Sequence, residues 1–386
     1  MNHSKIIFAL LVVSVLVSSV AWGELHIVPT LSLREEYNDN IFLERDEESD
    51  FITFIQPSLL IDWNTKLFDL SLDLGLDYEK YLHHSDEDDL RPSSGSQLES
   101  IFSLYRDVLF LRIADTYERV PIDDGDKGAV GNQLVNLTDS NRFMVNPYLL
   151  FNPLRTLQAR FDYKYENIWY QDDDGDDAEY HHYIATLTQE LSPRISANLG
   201  GGYTQYRPRN ASRRGEAGAT WLDYEFSEDY DSPMYGGQID YQLSRVFTLG
   251  AAYQDDISAS VDEGAQHEQK YSAYLGYSDR SNVKLGLFQS RDEYLETDRR
   301  DDSWGMTLNG EILLTNKKGL IWLLSYTDYE EEDLRNYDRY GGRIEFYHQL
   351  RLGRLSCGYT YNRSDSNLND EDYNNNIVFI QLALTR

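Results

Sequence analysis

Apolar and polar residues alternate strictly over long stretches of this chain. From Phe68 to Tyr78 every even position is apolar or aromatic and every odd one small or acidic (Phe68, Leu70, Leu72, Leu74, Leu76 and Tyr78 against Asp69, Ser71, Asp73, Gly75 and Asp77). Leu157 to Glu166, Ile195 to Thr204 and Arg354 to Asn362 repeat the pattern. A period of two places the two sets on opposite faces of a β-strand. The runs extend for roughly ten residues or more, whereas strands of soluble sandwiches average about 5–6. Tilted strands that cross a bilayer need about 9–11. A soluble periplasmic all-β protein is therefore the weaker reading.

The connectors alternate in length. Short ones carry turn-forming residues, as in Trp63-Asn64-Thr65-Lys66, Phe151-Asn152-Pro153-Leu154, Ser192-Pro193 and Leu352-Gly353. Long ones are mostly acidic, including Glu44 to Asp50, His83 to Ser96, Pro121 to Ser140, Gln171 to Glu179, Arg207 to Ser232, Asp255 to His267, Glu293 to Asp302, Tyr329 to Asp338 and Arg363 to Tyr373. Nine long connectors and eight short ones predict an all-β fold, a closed transmembrane antiparallel up-and-down β-barrel of about 18 strands, with both termini periplasmic. Closure is required because an open sheet edge leaves backbone groups unpaired in hydrocarbon. The outward apolar positions then meet lipid, and Trp63, Tyr148, Trp169 and Trp322 are assigned to interfacial girdles.

The N-terminus carries Lys5, an apolar stretch from Ile6 to Val17, and the small residues Ala21 and Gly23. That is the pattern of a secretory signal peptide. Residues 1–23 are expected to be removed, leaving 24–386 as the barrel. No later segment approaches the about 18 apolar residues of a helical span. The single cysteine, Cys357, excludes an intrachain disulfide and a Cys-rich metal site. The net charge is -31, yet 13% of the residues are aromatic, which argues against disorder. Nothing forms a dense basic stripe, so nucleic acid is not an expected partner. The expected location is the cell outer membrane of a Gram-negative bacterium. The expected partners are outer-membrane lipids, lipopolysaccharide and the barrel assembly machinery.

Inward positions give the candidate lumen lining: Asp69, Asp73, Asp77, Arg160, Asp162, Lys164 and Glu166, with Ser71, Lys284 and Arg354 beside them. A net acidic lining favours cations and neutral solutes over anions. The competing reading is that these charges only brace the wall. No cofactor is expected. The segment Gln171-Asp172-Asp173-Asp174-Gly175-Asp176-Asp177 gathers carboxylates around a glycine, but it lacks the full calcium-loop spacing and its distal Glu. Divalent cations bridging acidic loops to lipopolysaccharide need no such cage. Catalysis is not expected, since no nucleophile motif is present. His83 and His84 beside Asp86, and His181 and His182 beside Asp176 and Asp177, are the candidates a rim enzyme would use.

The segment Pro29-Thr30-Leu31-Ser32-Leu33-Arg34-Glu35-Glu36-Tyr37-Asn38-Asp39-Asn40-Ile41-Phe42, followed by Gln56-Pro57-Ser58, resembles the opening of outer-membrane β-barrels associated with PEP-CTERM/exosortase systems. Those barrels are similar to porins encoded beside exopolysaccharide loci. The resemblance implies export or assembly of exopolysaccharide or surface proteins, with polysaccharide or export-system proteins as partners, and it supplies no catalytic residues. Barrels of this kind commonly end in an aromatic residue, whereas this sequence ends Leu384-Thr385-Arg386, with Phe379 expected to face inward. A general diffusion porin, a non-conducting structural or adhesive barrel and a rim enzyme are the alternatives.

Overall fold

The structure is a computed structural model that describes residues 23–122, 129–131, 134–171, 177–209, 229–260, 264–295, 299–332, 335–368 and 372–385. Almost all of the segment expected to be a signal peptide lies outside them.

Alternation along the chain becomes one antiparallel sheet that closes on itself. Its strands are β1 (Glu24–Asn38), β2 (Asp50–Asn64), β3 (Phe68–Tyr81), β4 (Asp89–Pro92), β5 (Ser96–Tyr105), β6 (Leu109–Pro121), β7 (Leu137–Leu154), β8 (Leu157–Tyr170), β9 (Ala178–Ser192), β10 (Ile195–Pro208), β11 (Tyr230–Gln242), β12 (Phe247–Ser260), β13 (Gly264–Ser278), β14 (Ser281–Tyr294), β15 (Arg300–Thr315), β16 (Lys318–Glu331), β17 (Asn336–Leu350), β18 (Gly353–Ser366) and β19 (Tyr373–Thr385). Apart from β4 and β5, each strand pairs with its sequence neighbours, and β19 pairs with β1 from Thr30↔Thr385 to Asn38↔Ile377. β4 and β5 pair with successive stretches of β3, Leu76–Glu79 and Phe68–Asp73, so together they make one stave. The barrel therefore has 18 staves, as the connector count predicts.

The break in that stave is built on Gly75. A Cβ there would lie 2.5 Å from Ser93 Oγ and 2.7 Å from Ser93 Cβ, so only glycine lets residues 93–95 fold against β3. The long connector read from His83 to Ser96 thus holds a 3₁₀ turn, Ser85–Glu87, and β4.

Side chains that meet across non-adjacent staves mark the inner face, because only the concave side brings them together. The outer face carries Leu74, Leu76, Leu187, Leu199, Leu249, Leu287 and Ile344, all roughly half exposed. An apolar surface of this extent is stable only when something apolar covers it. Aromatic clusters bound it. Near the short turns are Trp63 against Phe68 (4.9 Å), Phe151 against Phe161 (6.4 Å) and Phe247 against Tyr277 (5.1 Å). Toward the long loops are Tyr37 with Phe51 (5.0 Å), the row Tyr235, Tyr253 and Tyr271, and Trp304 with Tyr326 and Tyr340. From Phe68 to Tyr78 the strand rises roughly 33 Å, or about 25 Å along the barrel axis at the usual tilt, the height of an outer-membrane apolar band.

Two expectations are corrected here. Tyr148 faces inward, stacked on Phe110 at 5.0 Å with the Arg160 guanidinium 4.0 Å from its ring, so it belongs to no outer girdle. The connectors read over Asp255 to His267, Glu293 to Asp302 and Tyr329 to Asp338 are largely strand, because β12 through β17 stay paired beyond the apolar band. Outside that band both faces of a strand can be polar, which hides the strand from a periodicity reading.

Candidate functional site

Register places Asp69, Ser71, Asp73 and Asp77 of β3, Arg160, Asp162, Lys164 and Glu166 of β8, Lys284 of β14 and Arg354 of β18 on the inner face. Most of these are braced. Arg160 holds Asp162 through Nε and Nη2 at 2.9 and 2.7 Å, and Asn146 adds a hydrogen bond to the same carboxylate at 3.1 Å. Lys164 pairs with Glu166 at 2.9 Å, and Glu166 also meets His182 Nε2 at 3.2 Å. Asp77 accepts from Gln56 (3.0 Å) and Ser93. Lys284 sits over the Tyr274 ring at 4.6 Å. Asp69 and Asp73 have no hydrogen-bond or ionic partner among the described residues. Asp73 borders a polar recess of about 270 Å³ beside Ser58, Gly75 and Ser96.

Sequence reasoning missed a second wall. On β17 to β1, Phe379 lies between Arg34 (4.2 Å) and Arg343 (4.8 Å), and Arg354 lies over Tyr347 (3.9 Å). Arg343 and Arg354 both bond Glu345, at 2.9 and 2.8 Å, and Arg34 pairs with Glu36. Tyr347 donates to Glu311 at 2.5 Å. Phe379 is buried, as the reading of the last strand expects. Cation–π contacts and paired carboxylates hold these guanidinium groups against the wall. Arg34 and Arg343 are distant in sequence, so period-two alternation could place each on the inner face but could not bring them together.

The described residues of the connector from Pro121 to Ser140 meet the inside of the barrel wall. At the end of β6 and the start of this connector, Val120 and Ile122 pack on the buried cluster that includes Ile168, Tyr170, Tyr180 and Tyr206. Further along, Val130 reaches the inner-face residue Asn362 of β18: its N–H donates to Asn362 Oδ1 (3.0 Å) and its carbonyl accepts from Nδ2 (3.1 Å). Leu134 packs on the cluster of Ile41, Ile52, Phe54 and Tyr81. The loop therefore leaves β6 and is tied to the wall at β18 and at β2–β3. Barrels of 16–18 strands enclose a wide lumen unless a loop folds in, and here one does.

The rim histidines are arranged differently from expectation. His83 and His84 converge on Asp50 rather than Asp86, with Nδ1 atoms 3.0 and 2.9 Å from its carboxylate, and His84 Nε2 lies 3.0 Å from Glu48. Backbone N–H groups of Phe51, His83 and His84 also donate to Asp50. Desolvation opposes this charge, yet the His84 and backbone hydrogen bonds outweigh it and hold the Asp50 carboxyl at about 2. Hydrogen bonds from Asp50 and Glu48 push His84 upward. His181 bonds Tyr163 Oη (2.8 Å), and His182 spans Glu166 and Thr204 Oγ1 (2.9 Å). Asp176, like Asp172, Asp173 and Asp174 of the candidate cation loop, lies outside the described residues.

The Asp50 knot has a defined pH window. Its depressed carboxyl stabilises the fold above the usual carboxylate range and loses that contribution as pH falls toward 2. The raised His84 contributes below its ordinary value of 6.5 and ceases to as pH rises through its shifted value. Limited proteolysis of residues 82–95 should therefore be slowest at mildly acidic pH. Asp50→Asn should speed cleavage there and flatten the profile. A profile unchanged by the substitution would remove Asp50 from this role.

Comparison with solved structures finds the same fold. The Pseudomonas aeruginosa protein OccK2 (OpdF) is 12% identical with a TM-score of 0.52, over 94% of this chain and 98% of that one. A BenF-like porin from Pseudomonas fluorescens Pf-5 is 11% identical with a TM-score of 0.52, over 93% and 99%. Acinetobacter baumannii OccAB3 is 11% identical with a TM-score of 0.50, over 93% and 99%. No family model matches the chain, and no curated protein is detectably similar. The fold is thus a closed antiparallel barrel of 18 staves, shared with these outer-membrane proteins.

Proposed function

We propose that this protein is an outer-membrane channel of the porin type, whose bore is narrowed where Val130 and Leu134 are held against the inner wall and which passes small hydrophilic solutes. The observation that carries the reading is the combination of an apolar outer band, a polar inner face and a loop bonded to the inside of the wall. A barrel acting only as a scaffold or adhesin has no need of a loop held inside its lumen. The charged pairs found near the histidines serve as braces in this reading, and the chain is not assigned catalysis. Purified protein in a planar bilayer should give discrete conductance steps. A folded barrel that never conducts would overturn the channel reading.

The resemblance of residues 29–42 extends the proposal to exopolysaccharide or surface-protein traffic. Loss of the protein should then reduce surface polysaccharide or surface-anchored protein, while a general solute channel would leave both unchanged and slow nutrient uptake instead. The long loops are assigned to the cell exterior. In a Cys357→Ala background, Gln171→Cys should react with an impermeant thiol reagent on intact cells and Asn152→Cys should not. The opposite labelling would invert the orientation.

A further inference from the structure

The segment Tyr37-Asn38-Asp39-Asn40-Ile41 stands out in the sequence, and neither the outer band nor the charged lining accounts for it. In the fold it sits where β1 meets β19 and the barrel closes. Asp39 ties that seam directly, accepting from the backbone N–H (2.6 Å) and Nδ2 (2.7 Å) of Asn376. Asn40 donates to the carbonyls of Glu44 (2.6 Å) and Asn374 (2.9 Å). Asn38 Oδ1 accepts from Asn40 N–H (3.0 Å) and from Asn375 Nδ2 (2.6 Å). Asn375 Nδ2 also donates to the Asn40 carbonyl (2.9 Å), and its Oδ1 accepts from Asn362 Nδ2 (3.1 Å). Asn362 in turn grips both backbone groups of Val130 in the infolded loop.

We infer that this run of asparagines is a positioning device for the pore: Asn38, Asn375 and Asn362 transmit the geometry of the barrel seam to the loop that narrows the lumen. Three features support a positioning role. Asn38, Asn362 and Asn375 are buried; the amides of Asn362 and Asn375 both donate and accept, and Asn38 Oδ1 accepts twice. An amide side chain can copy a backbone edge, offering one donor and one acceptor to the N–H and carbonyl of the same residue, as Asn362 does to Val130. The same segment makes the second attachment, because Ile41 belongs to the apolar cluster on which Leu134 packs. Buried networks of this kind are costly when broken at one member, since the remaining groups are left without partners.

The inference rests on the channel reading, so its test reads loop position and conductance separately. In a Cys357→Ala background, the pair Val130→Cys and Gly341→Cys reports loop position by disulfide formation, because a Cβ on Gly341 would lie 3.1 Å from Val130 Cγ2. Adding Asn362→Ala or Asn38→Ala should lower the crosslinking yield several-fold while the barrel keeps its heat-modifiable gel mobility. In planar bilayers Asn362→Ala alone should widen the pore, with conductance raised by about twofold or more and added current noise, since conductance follows the narrowest cross-section. Oxidising the cysteine pair in the Asn362→Ala background should return conductance toward the parent value, and reduction should release it. Unchanged crosslinking in both asparagine variants would overturn the inference. Reduced crosslinking in a barrel that conducts nothing would leave the relay standing and refute the channel instead.

Discussion

Leu72→Arg should block assembly of the barrel, while Asp73→Arg should not. The two residues are neighbours on β3, and their partners show how differently they are placed: Leu72 pairs with Ile61 and Leu98, and Asp73 with Leu60 and Gln97. Leu72 lies on the outer face, on the line of Leu70, Leu74 and Leu76. Asp73 points to the polar recess beside Ser58 and Ser96. An Arg near the middle of the bilayer costs about 2–4 kcal/mol on the lipid face, whereas a lumen side chain stays hydrated. A penalty of that size is a large part of the net stability of a folded domain, about 5–15 kcal/mol. Heat-modifiable mobility after extraction from membranes reads the folded fraction. Equal folding of the two variants would refute the assignment of faces, and with it the placement of every lumen candidate on β3.

Replacing Asp69 and Asp73 together with Asn should shift ion selectivity of the open channel toward anions. These two carry the prediction because they are without a partner among the described residues, unlike the other charged lumen candidates Asp77, Arg160, Asp162, Lys164 and Glu166. A paired carboxylate presents a dipole to passing ions, and a free one presents its full charge. A wall of negative charge raises the entry barrier for anions and lowers it for cations. The parent channel should therefore prefer cations, more weakly at high salt, since exposed charges are screened within about 8–10 Å at physiological ionic strength. Reversal potentials under a salt gradient give the answer directly. The corresponding change at the braced pair, Asp162→Asn, should move selectivity less and destabilise the wall more, because it leaves Arg160 without its partner. A reversal potential that does not respond to the double substitution would move the selective charges to the acidic loops.

The pattern along the chain leaves Tyr148 and the Asp50 knot undetermined, for different reasons. Tyr148 lies in Phe143-Met144-Val145-Asn146-Pro147-Tyr148-Leu149-Leu150-Phe151, where apolar residues occupy both faces, so alternation could not say which way it points. Inside, its ring is covered by Phe110 and Arg160, contacts supplied by strands on either side. Nearness in sequence pairs His83 and His84 with Asp86, whereas the fold places both on Asp50. The pairing of β2 with β3 brings Asp50 to His83 and His84 across the sheet.

Period two and the alternating connector lengths were enough to predict a closed barrel of about 18 staves, an inward side for Asp69, Asp73, Arg160 and Lys164, and the inward turn of Phe379. These properties are local: a strand shows one side chain to each face in turn, and bilayer thickness sets its length. What only the tertiary structure decided is which inward groups meet. Arg34 and Arg343 share the faces of Phe379, Asn362 holds Val130, and Leu134 packs on the cluster of Ile41, Ile52, Phe54 and Tyr81. An acidic connector looks the same in sequence whether it projects or folds in. Its course is set by a few contacts with residues on distant staves, which become neighbours only once the sheet has closed.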